Sequence, residues 1–245
     1  MDFFEELALE AAENAPKGIK IGEEKLSPSV RRLCFIAPSA FGEGGARGKG
    51  TYHTLLLEGD PLTGERLLDE VAEGVARSIK VLRGGWRRRV LVVGLGNPQA
   101  VVDALGAECV KRLSAGERGR RYLATLVPSV FGVTGLETAC VVKGVVAEYR
   151  PDLVLTVDTL STRRIERLFH AVQVTDGGVA PGGGVANPRE PISGETLHLP
   201  VLSVGVPLLA RLAPMDLVVT PKEIDLLVPR FALALAAGVE KGLFE

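Results

Sequence analysis

The stretch "LVVGLGNPQAVVDALG", residues 91–106, decides how the rest of the chain is interpreted. An apolar run ends in two spaced glycines and an Asn-Pro pair, and the following helical pattern has Asp103 in its first turn. A strand that turns through glycines into a helix is typical of nucleotide-binding units. A dinucleotide loop needs a third glycine, however, and here Asn97 and Pro98 follow the second one. The stretch therefore favours a sharp turn that presents an acidic side chain.

A phosphate-binding loop of the P-loop type is also excluded. The segment "GKGT", residues 48–51, has the residue types of the end of a P-loop motif, but it precedes a predicted strand, whereas a P-loop precedes a helix. Nucleotide binding is accordingly disfavoured.

Short apolar runs alternate with helical patterns from about residue 88 onward. The runs "RVLVVGL", "DLVLTVD", "AVQVTD" and "PVLSVGV" are apolar at nearly every position, which indicates strands covered on both faces. The alternation predicts an α/β fold with a doubly wound, mostly parallel sheet and helices on both faces, phosphorylase/hydrolase-like in general architecture. In the first 62 residues, "VRRLCFIA" and "GTYHTLLLE" instead predict antiparallel edge strands, a small β-containing extension. We predict a single domain over 1–245, with an N-terminal edge segment (1–62) and an α/β core (63–245).

Several helix ends are also predicted. Residues 64–82 form an amphipathic pattern that leads into the sheet. Thr134 and Glu137 have the spacing of a capping box. Thr220, followed by Pro221, predicts the start of the C-terminal helix, which Pro229 should kink or interrupt.

Composition argues against several classes of function. The formal net charge of −1 gives no bulk attraction to nucleic acid or to anionic membranes. No stretch approaches the ~18 uncharged apolar residues of a membrane helix, and the acidic start "MDFFEELALEAAEN" lacks the basic region of a signal peptide. We therefore expect a cytoplasmic protein. Neither the three cysteines nor the three histidines show the spacing of a metal motif, so no histidine-rich metal site is expected.

Three aspartates follow or end predicted strands: Asp103, Asp158 and Asp176. Ligands of an open parallel sheet bind beyond the carboxyl ends of its strands, although each acid alone could equally be a helix cap. Asp158 is the strongest candidate, because a carboxylate that emerges from a buried strand is poorly solvated and its pKa tends upward. Two such carboxylates side by side can share a proton and activate a water molecule.

The ordered motifs together resemble the germination protease family of spore-forming bacteria. They are "LALEAAE", "GKGTYHTLLLE", "VVGLGN" with "DALG", "FGVTGLET", "KGVVAEYRPDLVLTVDTLSTRRIERL", "VQVTDGGVAPGGGVANPREPISGETLHLPVLSVGVP" and "LVVTPKEID". The resemblance implies an endopeptidase that initiates the degradation of small acid-soluble spore proteins in the spore core, and a homo-oligomer, with a tetramer as the expected form. It implies a fold similar to that of hydrogenase maturation peptidases, and places the two essential aspartates on Asp103 and Asp158.

The resemblance also suggests supporting roles around this pair. Asn97 could orient Asp103, Asp176 could shape the glycine-rich loop, and Arg163 could contact substrate carboxylates or stabilise the pair. No cofactor is expected, although a divalent ion held by Asp103 and Asp158 is the alternative, as in a metal-dependent processing peptidase of the hydrogenase-maturation type. A catalytically silent sporulation paralogue is the third hypothesis.

The start of the chain departs from the family pattern. The family is made as a zymogen, with a prosegment before an Arg-Thr-Asp stretch, whereas here the sequence begins "MDFFEELALEA". The expectation is either a protein without this control or a trimmed form.

Overall fold

The computed structural model describes residues 7–14, 19–41, 48–85, 88–181, 190–212 and 217–245. Ten strands form one sheet within these ranges. The strands are β1 (Gly22–Lys25), β2 (Val30–Ala37), β3 (Gly50–Leu57), β4 (Arg89–Gly94), β5 (Gly116–Arg118), β6 (Arg121–Leu126), β7 (Leu153–Thr162), β8 (Ala171–Thr175), β9 (Val201–Leu212) and β10 (Leu217–Val219).

Seven α-helices and two short 3₁₀ turns accompany the sheet in the same ranges. The helices are α1 (Ala8–Glu13), α2 (Glu65–Leu82), α3 (Leu105–Val110), α4 (Phe131–Thr134), α5 (Thr138–Tyr149), α6 (Gly194–Leu197) and α7 (Ile224–Phe244), and the 3₁₀ turns are Val101–Asp103 and Ile165–Arg167. None of the helices described is both long and apolar enough to cross a bilayer.

The strand order is β1-β2-β3-β8-β9-β7-β4-β6-β5, and β10 pairs with β9. The four strands β9, β7, β4 and β6 are mutually parallel. Every other pair is antiparallel, including β8 with both of its neighbours, β3 and β9. The α/β class with a parallel core and an N-terminal β extension is confirmed. The sheet as a whole is mixed, rather than mostly parallel, because antiparallel strands flank the parallel core on both sides.

Helices cover both faces of the sheet, as the continuous apolar strands require. On one face α2, α3 and α7 pack over alternate strand residues such as Val92, Leu155 and Val204. On the other face α5 packs over Leu91 and Val93, and α1 packs over Leu160 and the aromatic residues of the extension. Successive residues of β7 therefore contribute to opposite cores, as the two-residue period of a strand dictates.

Two predicted helix starts are wrong, and the interruption expected as one outcome at Pro229 does not occur. Glu137 occupies the N-cap of α5 without a side-chain capping bond, because Gly135, at φ 70°, already ends the separate helix α4 after Thr134. Thr220 is not the N-cap of the C-terminal helix: its hydroxyl donates to the carbonyl of Leu208 in β9, 2.8 Å away, and α7 begins only at Ile224. The helix is not interrupted at Pro229 either: α7 continues through it to Phe244.

Two glycines set the distance between the parallel core and α3. A Cβ on Gly94 would lie 2.3 Å from the carbonyl oxygen of Gly106. A Cβ on Gly106 would lie 2.4 Å from the carbonyl oxygen of Val157 and 2.5 Å from the backbone nitrogen of Leu95. These atoms belong to backbone and cannot move aside singly, so only glycine allows the two strands and α3 to approach this closely.

Gly106→Ala should lower the free energy of unfolding by about 1–3 kcal/mol or more, the cost of overpacking a close-packed region. The matched control is Gly144→Ala in α5, where an added Cβ meets nothing within 4 Å. Because alanine is a better helix former, the control should gain about 0.5–1 kcal/mol. Urea denaturation of both variants measures the difference, and equal effects would contradict the close approach.

Candidate active site

The turn after β4 holds Asp103 by its backbone. The Leu95 N–H donates to the Val157 carbonyl at 2.8 Å, which extends the β4–β7 contact by one residue beyond the ladder. The chain then turns at Gly96, whose φ of 93° favours glycine. A Cβ there would lie 2.1 Å from the carbonyl oxygen of Asp103 and 2.7 Å from its Oδ1. Asp103 therefore occupies the space that a side chain at position 96 would fill.

Asn97 contacts Asp103 through its main chain. Its backbone N–H donates to Asp103 Oδ2 at 2.7 Å, whereas its side-chain Oδ1 accepts the N–H of Gln99 at 3.0 Å. The predicted pairing of Asn97 with Asp103 is thus present as a backbone contact, while the Asn97 side chain stabilises the turn itself. Asp103 ends the 3₁₀ turn Val101–Asp103 and precedes α3, so it is not in the first turn of the helix as expected.

The electrostatic setting of Asp103 is that of a poorly solvated carboxyl group. Burial raises its pKa above the ordinary value of 3.8, and the hydrogen bond from the Asn97 N–H opposes that rise only in part. A carboxyl group with a raised pKa can hold a proton at a higher pH than a free aspartate can, which suits a proton donor.

Asp158 lies inside β7, which corrects the prediction that it ends the strand. The strand continues to Thr162, paired with β9, but the β4 ladder stops at Gly94 opposite Val157. Asp158 is therefore the first β7 residue beyond the end of its neighbour β4. Its side chain is 9% exposed, and its Oδ1 accepts the N–H of Thr159 at 2.8 Å.

Thr159 connects the two aspartates. Its hydroxyl donates to the carbonyl oxygen of Val102 at 3.0 Å, so the residue after Asp158 binds the residue before Asp103. On the other side of Asp158, the carbonyl of Val157 accepts the Leu95 N–H. These two hydrogen bonds join the residues next to Asp103 and the residues next to Asp158 at the carboxyl edge of the parallel core, where ligands of such sheets bind.

Asp176 does not join this pair. It directly follows β8, but β8 runs antiparallel to β9, so the carboxyl end of β8 lies at the opposite edge of the sheet from Asp103. There Asp176 is exposed and its Oδ1 accepts the Thr51 N–H at 2.6 Å. It lines a cavity of about 320 Å³ together with Gly48, Lys49, Gly177–Ala180, Pro191 and Ser193–Glu195.

Arg163 lies directly beyond the end of β7, with its side chain exposed to solvent. Its backbone N–H donates to Oε2 of Glu10 at 2.8 Å, so the described main-chain contact is with α1. Of the predicted residues, Asn97 and Asp103 are thus hydrogen-bonded to each other, Asp158 lies on the adjacent strand β7, and Arg163 begins the loop after that strand.

Sequence analysis missed three polar residues around this site: Thr159, Gln173 and Glu10. Each interrupts an otherwise apolar pattern and is nearly or fully buried. That combination is the available signal, since a buried polar side chain needs a partner.

In the part of the chain that the structure describes, the two aspartates have few neighbouring side chains that could bind a metal ion with them. Among the described residues, no group of three or more His, Cys, Asp or Glu side chains could hold a metal ion. Two carboxylates that already accept backbone N–H groups do not make the three-ligand set of a typical catalytic metal site.

Comparison with known proteins identifies the class and then the family. Residues 47–215 match the family described as germination protease. The germination protease of Caldanaerobacter subterraneus is 32% identical over 81% of this chain and 80% of that protein. That of Clostridium acetobutylicum is 25% identical over 97% and 92% of the two chains. That of Priestia megaterium is 34% identical over 80% of this chain and 59% of its own length.

The chain is therefore a peptidase. It belongs to the germination protease family, and by that membership it is an endopeptidase of spore germination.

A solved hydrogenase maturation protease from Thermococcus kodakarensis shows a weak structural similarity to this chain. It covers 68% of this chain and 99% of its own, with 19% identity and a TM-score of 0.47. A likeness this loose carries no argument about chemistry.

Asp103→Asn should change how stability depends on pH. The folded-state pKa of Asp103 lies above 3.8, so its contribution to stability is fully present below the unfolded pKa and is lost as the pH rises through the folded one. The variant cannot ionise, so its unfolding free energy relative to wild type should increase as the pH rises above 3.8. Urea denaturation across about pH 3.5–7 measures this, and a constant or decreasing difference would contradict it.

Proposed function

We propose that Asp103 and Asp158 form the catalytic pair of this endopeptidase and activate a water molecule for peptide hydrolysis. The observation that carries the proposal is the hydrogen bond from Thr159, which follows Asp158, to Val102, which precedes Asp103, at the carboxyl edge of the parallel core. The raised pKa of Asp103 adds to it, because an acid pair must hold one proton when the reaction begins.

The proposed reaction assigns a different role to each carboxyl group. Asp158, ionised, accepts a proton from a water molecule as the water oxygen attacks the peptide carbonyl carbon. Asp103, protonated, donates its proton so that the C–N bond breaks and a neutral amine leaves. The backbone N–H groups of Asn97 and Thr159 orient the two carboxylates throughout.

The substrate we propose is a small acid-soluble spore protein in the germinating spore, as the family relationship suggests. The exposed Arg163 beyond β7 is suited to a carboxylate of such a substrate. Asp176, at the other edge, shapes the start of the glycine-rich loop through the Thr51 N–H. Location in the spore core, zymogen control and a homotetramer remain predictions, and the residues before Leu7 lie outside the described part of the chain.

Replacing either acid should abolish cleavage. Asp103→Asn and Asp158→Asn each remove a carboxyl group while preserving shape, and loss of a general acid or base costs about 10²–10⁴ in rate. Cleavage of a purified acid-soluble spore protein, followed by mass spectrometry of the product ends, measures the effect. Asp225→Asn, an exposed residue at the start of α7, is the matched control. Full activity in either site variant would overturn the pair.

We further propose that hydrolysis needs no metal ion, because the pair offers two carboxylates and no third side-chain ligand among the described residues. Dialysis against a strong chelator should therefore leave the cleavage rate within twofold of the untreated enzyme. Loss of activity that returns on adding a divalent ion would favour the metal-dependent alternative instead.

A further inference from the structure

The N-terminal helix α1 contacts the end of the strand that carries Asp158. The Leu7 N–H donates to the Ser161 carbonyl at 2.8 Å, and the Ala8 N–H donates to Oε1 of Gln173 at 2.7 Å. Gln173 of β8 lies opposite Gly205 of β9, and Gly205 in turn lies opposite Asp158. The first turn of α1 thus covers the row of the sheet that contains Asp158.

Apolar packing also connects α1 to the part of the sheet that contains Asp158. Leu160 lies in one apolar cluster with Leu7 and Leu9, all three being almost completely buried. A Cβ on Gly205 would lie 2.6 Å from Cγ of Leu160, so Leu160 fills the space above the residue that pairs with Asp158. α1 therefore holds Leu160 against the neighbour of Asp158.

Glu10 adds a buried charge to this contact. Its carboxylate is 3% exposed and accepts hydrogen bonds from the Thr162 hydroxyl and, at 2.8 Å, from the Arg163 N–H. Arg167 approaches it at 3.6 Å and is itself almost completely buried. A buried carboxylate is costly unless it is paired and hydrogen-bonded, and here every described partner belongs to the end of β7 or the loop after it.

Glu13, one turn further along α1, binds the same loop. Its two carboxylate oxygens contact Arg167 at 2.6 Å and Arg164 at 3.0 Å. The six-residue α1 is too short to be stable alone, so its order depends on these contacts. We call Leu7, Ala8, Glu10 and Glu13 the α1 anchor.

We propose that Glu10 is a positioning residue for catalysis: through the α1 anchor it fixes the end of β7 and the loop 163–167, and thereby holds Asp158 in place. The register shift between Leu160 and Ser161 makes this support necessary, because the β7–β9 ladder is irregular just beyond Asp158. The catalytic part of this proposal rests on the function proposed above.

The test compares Glu10→Gln with wild type in the full chain. The variant keeps the shape but removes the charge, so the amides of residues 161–165 should exchange hydrogen at least tenfold faster, while those of β4 keep their protection. With a spore protein as substrate, kcat should fall at least tenfold and KM should stay within twofold. Glu148→Gln, the same change on an exposed position of α5, should affect neither measurement.

Unchanged exchange at residues 161–165 would overturn the anchor, and faster exchange with kcat within twofold of wild type would overturn its role in catalysis. If Glu10→Gln does not fold, Glu10→Asp replaces it: the charge is kept but the reach is shorter, so intermediate changes in both exchange and kcat are expected, and wild-type values in both would overturn the proposal. If the wild type cleaves no spore protein, the proposed function fails, whereas hydrogen exchange still decides whether Glu10 holds the loop.

Discussion

The hydrogen bond from the Leu95 N–H to the Val157 carbonyl is the contact on which the site depends. α3 lies directly against this pair of backbone groups, and only a glycine at position 106 leaves room for it. β4 ends just before this bond, whereas β7 continues past it. The turn after β4 then brings Val102, the residue before Asp103, against Thr159, the residue after Asp158. The positions of both carboxylates thus depend on a backbone contact between two buried strands.

The sequence alone indicates those features around the candidate site that depend on residues close together in the chain. The spaced glycines of "GLGNP" and the polar interruption of "LVLTVDT" at Asp158 both reflect constraints within a few residues. The strand–helix alternation likewise indicated the parallel core. The direction of β8 could not be found in this way, because "AVQVT" has the same apolar pattern whichever way the strand runs. The separation of Asp176 from Asp103 and Asp158 follows from that direction and could not be predicted.

The role of Glu10 was hidden for a different reason. Its partners are Thr162, Arg163 and Arg167, far along the chain, and a glutamate in a helical pattern such as "LALEAAE" is normally exposed to solvent. Only the burial of its carboxylate distinguishes it. The same holds for Gln173, whose amide oxygen accepts the Ala8 N–H across the sheet. Long-range polar pairs of this kind leave little trace in local periodicity.

The distance along the chain between α1 and its partners has a consequence for synthesis. α1 is synthesised well before the Ser161 carbonyl and the Gln173 amide that fix it, since Ala8 and Gln173 are 165 residues apart. A nascent chain that ends before β7 lacks these hydrogen-bond partners of α1, although the aromatic residues of β2 and β3 that pack against α1 are already present. Contacts between such distant segments form late in folding. The support that α1 gives to the strand of Asp158 is therefore completed only after β7 and β8 have been synthesised.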